Sequence, residues 1–111
     1  MKKLFITTLA STLLVSGAVA DTVNVTVPFK PTSSTHAFAN LTTSYVKKHL
    51  NGMDYKITNI KGAGGSKAAV VFTKKAKPTG QEWMITSGSL AMNYVIKGNE
   101  KAGYNYNAWR P

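Results

Sequence analysis

The feature that most limits what this chain can fold into is a hydrophobic period that switches back and forth along it. Residues 23 to 29, VNVTVPF, set Val23, Val25 and Val27 two apart, the period of a strand with one buried face. Pro28 comes near the end of that stretch, where a lost ladder donor is tolerated. The next segment, SSTHAFANLTTSYVKKHL, changes to helical spacing through Phe38, Leu41, Tyr45 and Leu50. It opens on Ser and Thr as cap candidates, closes on Lys47, Lys48 and His49, and is stopped by Asn51-Gly52. Residues 55 to 60, YKITNI, alternate again. Three glycines in four positions, Gly62, Gly64 and Gly65, then lead into SKAAVVFTKKA. After a turn at Pro78-Thr79-Gly80, EWMITSGSL opens as a short apolar strand and breaks at Ser87-Gly88-Ser89.

Strand, helix, strand, helix, strand with connections this short predicts an α/β fold, a mainly parallel three-stranded sheet with flanking helices. The expected strands lie near 23–29, 55–60 and 82–87, and the expected helices near 35–50 and 65–76. Phe38, Leu41, Tyr45, Val70 and Phe72 are expected to pack towards the sheet, with part of that apolar surface left exposed. Such a chain is expected to be marginally stable or self-associating, because one this short buries only about 60 to 65 per cent of its unfolded surface. With no cysteine, no disulfide can offset that.

In parallel sheets, ligands bind beyond the carboxyl ends of the strands. Three stretches fall there: Pro31 to His36, Gly62 to Ser66, and Thr86 to Ser89. Each is rich in Gly, Ser or Thr, and none contains an acidic residue. Glycines carrying a strand into a helix free the first-turn N–H groups to point at an anion. They equally allow a tight turn and a close contact between helix and sheet, and the sequence leaves both roles open. His36 follows Ser33-Ser34-Thr35 at the first corner, as a ligand-facing group or as a plain helix-start residue.

Several chemistries are excluded. Gly62-Ala63-Gly64-Gly65-Ser66-Lys67 is neither a Walker loop nor a dinucleotide fingerprint, since Lys67 stands in the last glycine's place. His36 and His49 with Asp21, Asp54, Glu82 and Glu100 have no metal-ligand spacing. No serine sits in a nucleophile elbow, and no base is paired with a nucleophile. The chain is therefore read as a non-enzyme without cofactor or metal.

The first 20 residues read as an export signal. Lys2 and Lys3 form a positive start, Leu4 to Val15 is apolar apart from small hydroxyl residues, and Ala18-Val19-Ala20 is a small-x-small cleavage site. The apolar run is shorter than the ~20 residues of a spanning helix. Cleavage after Ala20 is expected, and mass spectrometry of periplasmic material that found residues 1 to 20 attached would refute it. Cleavage removes Lys2 and Lys3, so the formal charge falls from +10 to +8. Such an excess suits an anionic partner. Its lysines are scattered, however, without the dense basic stripe interleaved with aromatics that marks a nucleic-acid binder.

These motifs, in this order, resemble those of the substrate-binding proteins of tripartite tricarboxylate transporters, a group of periplasmic solute receptors. In that family a strand ending V-P-F is followed by x-P-G-G-S-T-D, a second strand closes in N-R-P-G-A-G-G, and a D-G-Y-T-like turn precedes a strand ending T-S-G-T-L-A-x-N. This chain has VPFKPTSSTH at 27–36, NIKGAGG at 59–65, KPTGQEWMITSGSLAMN at 77–93, and YNYNAWRP at 104–111 in place of the family's Y-D-P…F-x-P segment. The resemblance covers nearly all of residues 21–111, which correspond to the opening part of the first lobe of a two-lobed receptor. It implies a partial periplasmic-binding-protein-like domain. The implied function is capture, by a fragment or truncated form, of a small carboxylate for the membrane permease subunits of such a transporter.

Residue by residue, Ser34 and Thr35 match the family's S-T, Gly64 and Gly65 match its glycine corner, and Ser87, Gly88 and Ser89 match T-S-G-T. His36 stands where the family has Asp, and Thr32-Ser33 replace two glycines, which favours anions but adds side chains where backbone approached the ligand. From the charge alone, the alternative is a small secreted basic protein that binds polyanions.

Overall fold

A computed structural model of the protein describes residues 21–50 and 53–109, so the expected export signal and the expected Asn51-Gly52 stop lie outside the described residues. The elements run β1 (Asp21–Val27), α1 (Ser34–His49), β2 (Met53–Asn59), a 3₁₀ turn at Ala63–Gly65, α2 (Ser66–Lys75), β3 (Glu82–Met84), α3 (Ser89–Ala102) and a final 3₁₀ turn at Tyr106–Ala108. The three strands form one sheet in the order β2-β1-β3, parallel throughout. Val25 lies between Ile57 on one side and Trp83 on the other. The α/β architecture expected from the alternating periods is thus present, with each expected element within three residues of its place. β3 differs most, starting where expected at Glu82 and ending at Met84 rather than near residue 87.

The central strand divides the core in two. Val23, Val25 and Val27 are buried on one face with Ala39 of α1, flanked by Tyr55, Ile57, Trp83 and Ile85. Met84, whose side chain alternates with that of Trp83, belongs to a second cluster with Ala69 of α2, Leu90 of α3, Ala102 and Tyr104. Hence α1 covers one face of the sheet, and α2 and α3 cover the other.

α1 does not pack as its large residues lead one to expect. Phe38, Leu41 and Tyr45 are 61%, 70% and 66% exposed, and the buried residues of the helix are Ala39 and Thr43. Thr35, Thr42 and Val46 lie half-buried beside them. The valine stripe of β1 already fills the interface, so small side chains let the helix axis come close to the sheet. Thr43 can be buried because its hydroxyl donates to Ala39 O at 2.9 Å, leaving no polar group orphaned. Val70 and Phe72 are only half-buried, Val70 against the second cluster and Phe72 edge-on to Trp109, with ring centres 5.9 Å apart.

α3 had no sequence expectation. It is kinked at Gly98 (φ 75°, ψ 163°) and ends at Gly103 in the left-handed region. The segment after it folds back to pack Tyr104 on Leu90, with the tyrosine hydroxyl donating to Leu90 O at 2.8 Å.

Candidate functional site

In a parallel sheet, the helices that follow the strands all begin at one end. The N-termini of α1, α2 and α3 therefore share the edge beyond the strand carboxyl ends, and none has an acidic residue in its first turn.

At the first corner the N-cap of α1 is Ser33, extended at φ −79° and ψ 154°, and its Oγ accepts the His36 N–H at 3.2 Å. Ser34 follows as the exposed first residue of the helix, with Thr35 half-buried behind it. His36 is fixed from the next strand. The Asn59 amide, at the end of β2, donates to Phe29 O at 2.8 Å and to His36 Nδ1 at 3.0 Å. Both amide hydrogens are thereby used, Nδ1 is the acceptor, and the ring proton sits on Nε2. Asn59 thus ties the ends of β1 and β2 to the start of α1.

At the second corner the backbone turns left-handed over four residues, Gly62 (φ 136°), Ala63 (φ 50°), Gly64 (φ 61°) and Gly65 (φ 93°). Gly65 is buried, and a Cβ there would lie 3.0 Å from Leu90 Cδ2 and 3.3 Å from Pro28 Cβ. Its N–H donates to Gly62 O at 3.0 Å, and the Ser66 N–H donates to Ala63 O. Of the two roles left open for these glycines, Gly65 therefore fills the turn-and-contact one. Gly64 is exposed, and its carbonyl accepts from Asn93 Nδ2 of α3 at 3.2 Å. Ser66, in the first turn of α2, is buried, and its Oγ has no partner among the described residues.

At the third corner Gly88 is the N-cap of α3 and supplies no side-chain cap. Ser87 and Ser89 flank it with their hydroxyls 2.8 Å apart. Thr86 Oγ1 donates to Ser87 O at 3.2 Å.

The eight sequence-derived residues thus occupy three corners, of which the second is laced to the third through Asn93 and the Gly65–Leu90 contact, while the first is tied to the end of β2 through Asn59 and His36. Sequence reasoning missed Asn59 and Asn93, and it placed Ser66 at the second corner without singling it out. The serine read as a cap candidate at the start of α1 is borne out in Ser33. The apolar groove along the free side of β3, lined by Phe72, Trp83, Met84 and Trp109 among others, shares no residue with the corners. No protein-family model matches the chain, and no curated protein or solved structure gives a significant match.

Proposed function

We propose that the protein is the ligand-facing part of the first lobe of a periplasmic solute receptor, of the kind that serves tripartite tricarboxylate transporters, and that it captures a small carboxylate for their permease subunits. The observation that carries this reading is the gathering of three acid-free helix N-termini at one end of a parallel sheet. Each brings the positive end of a helix dipole, which favours an anion. The first-turn N–H groups of Ser34 and Thr35, the Ser34, Ser87 and Ser89 hydroxyls, and the His36 Nε2–H supply directed donors. Gly64, Gly65 and Gly88 give the loops room to turn. Oriented dipoles and hydrogen bonds suit a compact carboxylate better than a long polyanion, which calls for a continuous basic stripe.

Calorimetry of the protein against citrate, succinate and an aromatic acid tests this. Removing one donor to a charged partner costs about 1.5–3 kcal/mol, roughly ten-fold or more in affinity. Ser34→Ala and Ser87→Ala are expected to weaken binding by that factor, and Lys75→Ala, at the far end of α2, to leave it unchanged. Equal losses in all three variants, with affinity collapsing between low and physiological salt, would instead identify non-specific polyanion attraction.

A further inference from the structure

We propose that the outer face of α1 docks the protein onto an anionic lipid surface. Phe38, Leu41 and Tyr45 succeed one another at spacings of three and four residues, so they share one face of the helix, and all three are more than 60% exposed. The opposite face, through Ala39 and Thr43, already holds α1 to the sheet. A row of large apolar side chains left outside the core in this way marks a surface that meets something else.

Charge selects the partner. α1 contains no acidic residue, its last turn carries Lys47, Lys48 and His49, and Lys30 stands just before it. Asp54, on the neighbouring strand, is paired with Lys47. The whole chain has 14 Lys and Arg against 4 Asp and Glu. Two copies meeting through this stripe would set like charges against each other, so self-docking is disfavoured. An anionic bilayer reverses that sign. A helix with aromatic and aliphatic groups on one face and basic and hydroxyl groups at its flanks lies in the interface, its apolar face sunk about 5–10 Å and its lysines among the headgroups. Among the described residues no helix is long and apolar enough to cross a bilayer, so the attachment is peripheral. α3 also exposes apolar side chains, Met92, Val95 and Ile96, but it carries Glu100 and is broken at Gly98. The acid-free, unbroken α1 is therefore the docking helix.

The test is flotation of the full chain with vesicles of phosphatidylglycerol and phosphatidylcholine, and of phosphatidylcholine alone. The Phe38→Ser/Leu41→Ser double variant and Lys48→Glu are run beside it, with thermal unfolding followed to establish that they remain folded. Both changes lie on the solvent side, so the unfolding transitions should match the parent's. The expected result is attachment to the anionic vesicles, weakened about ten-fold or more in the serine variant and several-fold in Lys48→Glu, with little attachment to phosphatidylcholine. Absence of attachment to anionic vesicles overturns the proposal, and so does attachment equally strong in parent and serine variant, whichever other segment carries it. A two-chain mass in sedimentation that the serine variant abolishes, without vesicle attachment, would make a second copy the occupant instead.

Discussion

Leu90→Ala is expected to lower the unfolding free energy by about 2–5 kcal/mol, the range for emptying a fully buried leucine site. Leu90 is 0% exposed and is the largest fully buried side chain among the described residues. It joins three parts of the protein: it lies against Gly65 and the buried Pro28 just after β1, shares a cluster with Ala69 of α2, and accepts the Tyr104 hydroxyl through its carbonyl. Its loss leaves a cavity at the meeting point of the second and third corners, and few neighbours can collapse into it. Urea unfolding followed by tryptophan fluorescence measures the effect. In a protein this small the upper end of that range approaches the whole of its stability, so loss of the cooperative transition is the same result at larger amplitude. A change below about 1 kcal/mol would mean that α3 does not pack as described.

Gly65→Ala is expected to cost about 2–5 kcal/mol, from two sources. An L-residue held in the left-handed region costs roughly 1–2 kcal/mol, and φ at Gly65 is 93°. Forcing a methyl group into a filled site adds about 1–3 kcal/mol, since the new Cβ would lie 3.0 Å from Leu90 Cδ2. The two substitutions share that contact, so their effects should not add. In the double variant the alanine methyl occupies space vacated by the leucine, and the sum of the single losses should exceed the double loss by about 0.5 kcal/mol or more. The backbone contribution is not rescued, so Gly65→Ala alone keeps a residual cost even in the Leu90→Ala background. Additive effects would place Gly65 and Leu90 out of contact.

Both residues bear on how much of the molecule could be read before it was folded. The strands and the first two helices were legible because each carries its own local signal: valines two apart in β1, alternation in YKITNI, and lysines closing α1 and α2. The inward face of α1 was not. Two candidate stripes wind round that helix, one large and one small, and volume favoured Phe38, Leu41 and Tyr45. The choice is made by the distance between helix and sheet, a tertiary quantity that the helical period does not contain. α3 was lost for a related reason. Gly98 interrupts its period, and its prominent apolar residues, Met92, Val95 and Ile96, face solvent, while Leu90 and Ala102 at its two ends anchor it in the core.

At the site, the corner residues were legible because glycine and hydroxyl residues punctuate a chain wherever a strand becomes a helix. The residues that lace the corners were not. Asn59 at a strand end and Asn93 within a helix gain their roles only when β2 is set beside β1 and α3 is set against the glycine turn.

The central claim is that the three corners form one anion site, and amide chemical-shift mapping by NMR during titration with succinate tests it most directly. The account predicts that the amides that shift cluster at residues 33–36, 62–67 and 86–90, with saturation common to all three stretches and no comparable change along α1 beyond His36 or at Lys74 and Lys75. Shifts confined to lysine-rich surfaces, or spread evenly over the chain without saturation, would contradict it.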